Sequence, residues 1–176
     1  MATHTISVFV ENRPGVLMRV AGLFSRRGYN IESLAVGPTE RAEYSRMTIV
    51  VTLDQKPVEQ VVRQVHKLVP VVEVRELVPA DCVDRELMLV KIRVTPEKRG
   101  EVRELAELFR ARVIDVSATS LMIEATGTPD KLDALEQNLR DYGIQELCRT
   151  GRIALERGTK TLPKPAAVAE DDEEAS

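Results

Sequence analysis

The chain has 176 residues, 43% of them apolar, 3% aromatic and 30% charged, with a formal net charge of −3. That length fits one ordinary domain or two small ones, and a slight acidic excess with few rings argues against a nucleic-acid face built from basic patches and stacking aromatics. No window approaches the roughly 18 apolar residues of a membrane span, and Met1-Ala2-Thr3-His4 lacks a basic region leading into an apolar stretch, so a cytoplasmic location is expected.

Ile6, Val8 and Val10 alternate over residues 5–10, the period of a half-buried strand. The turn Glu11-Asn12-Arg13-Pro14-Gly15 then leads into a helix, with Asn12 or Arg13 suited to the cap and Pro14 to the first helical position. Val16, Val20, Leu23 and Phe24 recur at helical spacing until Arg26-Arg27-Gly28, which offers cations to the last turn and a glycine for left-handed closure. Residues 30–37 and 44–53 read as a hairpin around 38–43, with Met47, Ile49 and Val51 alternating on the second strand and Ile31 and Ser33 sharing a face on the first. After Pro57, the positions Val58, Val61, Val62, Val65, Leu68 and Val69 mark a second helix that Pro70 ends, and residues 71–77 supply a fourth strand. Residues 3–78 therefore read β-α-β-β-α-β, the ferredoxin-like arrangement of one sheet with two helices on one face.

The plan repeats after a linker at 79–85. Met88, Val90, Ile92 and Val94 alternate over 86–94, and Val102, Leu105, Ala106 and Phe109 mark a helix. Strands follow at 113–117 and 121–125. Thr128-Pro129-Asp130 then opens a helix carrying Leu132, Leu135 and Leu139, and a last strand begins near Ile144. The expected fold class is α+β, two tandem ferredoxin-like βαββαβ domains at 3–78 and 86–158. Units this small are marginal alone, so pairing between domains or chains is expected. Residues 159–176, which end in the acidic run Glu170-Asp171-Asp172-Glu173-Glu174, show no period and too little apolar surface to offset ordering entropy, and a disordered tail is expected there.

Catalytic machinery is poorly supplied. Cys82 and Cys148 form no Cys-x-x-Cys pair, and His4 and His66 lie far apart, which leaves no metal-ligand spacing. Tyr29 and Cys82 have no partner base in a recognisable motif, so core or linker roles suit them better than catalysis. The informative segment is the turn at Asn12-Gly15, because a helix start gathers backbone N–H groups that lack acceptors and favours an anion. Those amides could hold a carboxylate while Asn12 offers a carbonyl to an ammonium group, the two charges of a free amino acid. The same residues also cap and turn at β-α junctions that bind nothing, and the local spacing alone favours that plainer role.

Asn12-x-Pro14-Gly15-Val16-Leu17, Leu23-Phe24-Ser25-x-Arg27-Gly28-Tyr29-Asn30-Ile31-Glu32-Ser33-Leu34 and Ser45-Arg46-Met47-Thr48-Ile49 together resemble the ACT domain family, and more closely the N-terminal half of acetolactate synthase small subunits. The likeness continues through His66-Lys67-Leu68-Val69, Arg85 to Ile92, Ile114-Asp115-Val116 and Gly127 to Asp133, covering residues 3 to about 158. This resemblance implies a regulatory chain without catalytic residues or cofactor of its own. It implies a homodimer through ACT domains that binds valine, and in some members leucine or isoleucine, at the dimer interface and sets the activity of a large catalytic subunit. That subunit would hold thiamine diphosphate, Mg2+ and FAD, and no nucleic acid or membrane would be involved. The positions matching the family's effector site are Asn12, Gly15, Val16 and Leu17 from one chain with Asn30 and Ile31 from its partner. A free-standing ACT sensor that controls another enzyme or a transcription factor is the alternative, and the lack of a dedicated DNA-reading helix-turn-helix weakens the second version. An enzyme built on the same scaffold stays formally open, since fold alone does not fix function.

Overall fold

The computed structural model describes residues 2–53 and 57–161. β1 (Ala2–Glu11), α1 (Val16–Arg26), β2 (Asn30–Pro38), β3 (Tyr44–Leu53), α2 (Val58–His66) and β4 (Val71–Leu77) form a first βαββαβ unit. Its strands run in the order β2-β3-β1-β4, every neighbouring pair antiparallel. β5 (Cys82–Arg93), α3 (Arg99–Leu108), β6 (Arg112–Val116), β7 (Ser120–Gly127), α4 (Pro129–Leu139) and β8 (Ile144–Arg149) repeat that plan in the order β6-β7-β5-β8.

The expected alternation sets both cores. Ile6, Val8 and Val10 on β1 and Met47, Ile49 and Val51 on β3 bury one face of the first sheet against α1 and α2. Met88, Val90 and Ile92 do the same in the second unit against Val102, Ala106 and the three leucines of α4. A fully buried aliphatic or phenyl side chain contributes about 1.5–3 kcal/mol relative to exposure. That term outweighs the few tenths of a kcal/mol by which each valine of α2 disfavours a helix. Pro129 occupies the first turn of α4 behind Thr128, as the sequence reads. Among the described residues no helix is long and apolar enough to cross a membrane.

Five features differ from the sequence reading. α2 stops at His66 rather than running to Pro70, so Leu68 still packs on the core while Val69 is 81% exposed. The segment 79–85 carries a 3-10 turn at Pro79–Asp81 and then the first residues of β5. Those residues pair with an additional short strand, β9 (Ile153–Glu156), in the register Cys82 with Glu156 and Arg85 with Ile153. β1 is buried on both faces rather than one, because Thr5, Ser7 and Phe9 are covered too. The covering comes from the β9 side, where Leu155 and Glu156 line a cavity with Ser7 and Phe9, and Arg75 of β4 bonds Glu156 at 3.1 Å. Finally, a bulge between Ile31 and Ser33 shifts the β2 register on β3, so Ile31 and Leu34 pack toward the core while Ser33 bonds across to Arg152. The acidic run of the expected tail lies outside the described residues.

Candidate functional site

The β1-α1 junction is shaped by Gly15. It is the N-cap of α1 at φ 83°, ψ −9°, a left-handed conformation that a glycine adopts without steric cost, and a Cβ built there would meet nothing within 4 Å. Among the described residues no side chain caps the helix, which corrects the expectation of Asn12 or Arg13 at the cap and Pro14 inside the first turn. Asn12 is used elsewhere: its backbone N–H donates to the Glu43 carbonyl at 2.7 Å and its Nδ2 to the Ala42 carbonyl at 2.8 Å. The turn is thereby tied to the loop between β2 and β3. That loop is held by the Thr39 hydroxyl, which donates to the Arg41 carbonyl, and by the Arg41 guanidinium 5.0 Å over the Tyr44 ring, itself stacked on Phe9.

With the cap position empty of side-chain acceptors, the N–H groups of Val16 and Leu17 begin the helix without an intrahelical acceptor. The helix dipole places partial positive charge there, no acidic residue stands in the first turn, and Arg19 is exposed one turn on. The junction therefore favours a small anion held by backbone amides. Val16 contributes only its backbone, since its side chain is buried in the core, whereas Leu17 is 43% exposed and the adjacent Met18 is 77% exposed.

Asn30 and Ile31 lie elsewhere. Asn30 opens β2 just after the left-handed Gly28, which closes α1 with the Tyr29 N–H donating to the Phe24 carbonyl at 3.0 Å. Tyr29 is buried edge-on against Phe24, a core role. The exposed Asn30 donates from Nδ2 to Glu32 Oε1 at 2.6 Å, and the Ile31 side chain rests partly buried on the core. On β3, Tyr44 pairs with Glu11 and Thr52 with Asn30, eight positions apart. At about 3.3 Å per position Glu11 and Asn30 stand roughly 26 Å apart along the sheet, so the two halves of the expected site lie at its opposite ends. Asn12, Gly15, Val16 and Leu17 thus form one cluster and Asn30 and Ile31 another, at opposite ends of the sheet in one chain.

The sequence reading missed the residues that support these clusters. The carbonyls of Ala42 and Glu43 anchor Asn12, and Gly151 with Arg152 anchors the β2 bulge at Ser33. No periodic signal marks the first pair, and for the second the sequence offers only the short apolar run Ile153-Ala154-Leu155 after a glycine. Among the described residues no group of three or more His, Cys, Asp or Glu could hold a metal ion.

Comparison with known proteins matches these two units in order. The family of AHAS small subunit-like ACT domains matches residues 6–73, and the family described as the small subunit of acetolactate synthase matches residues 85–158. The chain is 57% identical over 157 residues to a protein of Archaeoglobus fulgidus named a probable acetolactate synthase small subunit, covering 89% of this chain and 98% of the relative. It is 52% identical over 160 residues to the acetolactate synthase small subunit of Mycolicibacterium smegmatis, covering 91% and 94% respectively. The crystal structure of the acetolactate synthase small subunit from Thermotoga maritima superposes with a TM-score of 0.83 at 40% identity, covering 91% of this chain and all of that one. Matched in both halves and along nearly the whole length of its relatives, the chain belongs to the acetolactate synthase small-subunit family.

Proposed function

We propose that this chain is the regulatory subunit of acetolactate synthase, docking on the large catalytic subunit, sustaining its active state, and withdrawing that support when valine binds. The observation that carries the valine site is the uncapped, left-handed start of α1 at Gly15, with its open amides, at the opposite end of the sheet from Asn30 in the same chain. A homodimer with its α1 helices side by side brings the Gly15 cluster of one protomer to the Asn30 cluster of its partner. β2 is an edge strand of its sheet, and Leu17 and Met18 are exposed apolar side chains on α1, both of which suit such pairing.

In this arrangement the α1 amides hold the carboxylate of valine, each charge-assisted hydrogen bond contributing on the order of 1.5–3 kcal/mol. Asn12 has committed its Nδ2 to Ala42, which leaves its Oδ1 for the ammonium group. Leu17 and the edge of Ile31 receive the branched side chain. Such an apolar pocket separates ligands differing by one methylene by only about 1–3 kcal/mol, so leucine or isoleucine binds more weakly rather than not at all.

Thiamine diphosphate, Mg2+ and FAD belong, in this reading, to the catalytic subunit, and this chain performs no step on pyruvate. Its action is linkage: a ligand that favours one conformation over another shifts the population, and a coupling of about 1–3 kcal/mol changes affinity roughly 5- to 150-fold. Equilibrium sedimentation with and without valine tests the two-chain site. A dimer that binds one valine per Gly15 cluster, and loses that binding when dissociated, is the expected result; a monomer that binds valine with unchanged affinity refutes it.

A further inference from the structure

The first residues of β2 are fastened to the second unit at one point. The Arg152 backbone N–H donates to Ser33 Oγ at 2.8 Å, across 119 residues of sequence. Beside it Gly151, at φ 81°, comes so close that a Cβ there would stand 2.8 Å from Ser33 Oγ and 3.2 Å from the Leu34 carbonyl oxygen. Further along, β2 and β9 part around a cavity of about 400 Å3 lined by Val36, Pro38, Ile153 and Leu155 among others. Other polar ties between the units land on other strands: Arg75 of β4 donates to Glu156 of β9 at 3.1 Å, and the Arg152 guanidinium to the Thr5 hydroxyl of β1 at 3.4 Å.

Ser33 also sits at the register shift of β2, where the bulge between Ile31 and Ser33 turns Ile31 toward the core and Ser33 toward Arg152. A bulge is a place where a strand re-aims its side chains with small changes in pairing. On the far side of the contact, Arg152 leads into β9, and β9 pairs with Cys82–Arg85, the start of the strand whose later residues form the centre of the second sheet between β7 and β8. A displacement at Asn30 and Ile31 therefore meets, two residues on, a glycine-tight contact with the second unit.

We infer that the contact of Ser33 with the Gly151-Arg152 turn is the link by which occupancy at Asn30 and Ile31 is passed to the C-terminal unit. The inference rests on the proposed effector role of Asn30 and Ile31. Ser33 and Gly151 act as positioning residues: they touch no ligand, and they make the β2 bulge and β9 move together. A two-state element biased from both sides is the physical requirement for coupling, and the tie supplies its joint.

The test measures valine affinity by calorimetry for the full-length chain alone and in complex with the catalytic subunit, in the wild-type protein, Ser33→Ala and Gly151→Ala, with inhibition of acetolactate formation read in parallel. Circular dichroism establishes that each variant is folded, and Ser33→Ala, which deletes one oxygen, guards against a Gly151→Ala chain that misfolds. In the wild type the two affinities differ by roughly 5- to 150-fold, as coupling of ordinary size requires. In either variant the isolated chain keeps its valine affinity within about twofold, while the ratio of affinities falls toward one and inhibition at saturating valine is lost. Amide exchange at Arg152 slows or quickens on valine addition in the wild type and not in Ser33→Ala. Full inhibition with an unchanged ratio in both variants overturns the inference, as does a parallel loss of valine affinity in the isolated chain, which would put Ser33 in the site itself. A wild-type chain that does not bind valine overturns the effector reading first and this link with it, an outcome the wild-type arm alone reveals.

Discussion

Replacing Gly15 separates backbone strain from obstruction of a bound carboxylate, because its φ of 83° is costly for a side chain while the space a Cβ would fill is open. An L-residue in the left-handed region costs about 1–2 kcal/mol, less for asparagine, which adopts it several-fold more often than most. For a domain of this size each kcal/mol lowers the melting temperature by about 4–8 °C, so Gly15→Ala loses on the order of 5–15 °C, and Gly15→Asn and Gly15→Asp less. The valine response divides differently. A carboxylate about 4 Å from the ligand's own repels it by up to about 4 kcal/mol at the effective dielectric of a protein surface, close to three decades in affinity. Gly15→Asn has nearly the same size and no charge, and loses about one decade or less through crowding of the amides. Calorimetric titration of each folded variant with valine, and inhibition of the reconstituted enzyme, give the order wild type, Asn, Asp. Equal losses in Asn and Asp refute the charge argument, and an Asp variant that binds valine like the wild type refutes the site.

Two further outcomes follow from the geometry. Asn12→Ala breaks the 2.8 Å bond to the Ala42 carbonyl and loosens the junction from the loop that supports it. A stability loss of about 0.5–1.5 kcal/mol in urea unfolding is expected, together with weaker valine binding, and a variant as stable as the wild type would show that the loop does not support the turn. Burial pushes the Cys82 thiol above its ordinary pKa, with Asp84 acting in the same direction and Arg157 and Arg152 opposing, whereas Cys148 is exposed. A raised thiol pKa means less thiolate at pH 8, so iodoacetamide labels Cys148 first in the native protein and both alike after denaturation; faster labelling of Cys82 contradicts the burial of the β5-β9 pair.

Legibility followed the range of the interaction. Strands with a strict two-residue period, such as Ile6-Val8-Val10 and Met88-Val90-Ile92, and helices with a clear apolar stripe, such as Val58-Val61-Val65, were readable because each pattern is local. The start of α1 was misread because asparagine, proline and glycine each suit several turn positions, and the choice fell to Asn12 finding acceptors in a loop 30 residues away. β9 was missed because four residues carry little periodicity and their partner is the far end of β5, a pairing fixed by tertiary contact. The second buried face of β1 depends on that same strand, so an error of four residues hid Thr5, Ser7 and Phe9 from the burial pattern. The site residues were named through resemblance, and their separation into two clusters became visible only with the register of β3.

Acetolactate formation from pyruvate is to be measured for the catalytic subunit of the same organism alone, with this protein, and with this protein plus valine. A regulatory role gives a rise in rate on adding the protein, a fall on adding valine, and no turnover by this chain alone. A rate unchanged by the protein, or a raised rate that valine leaves untouched, would contradict it.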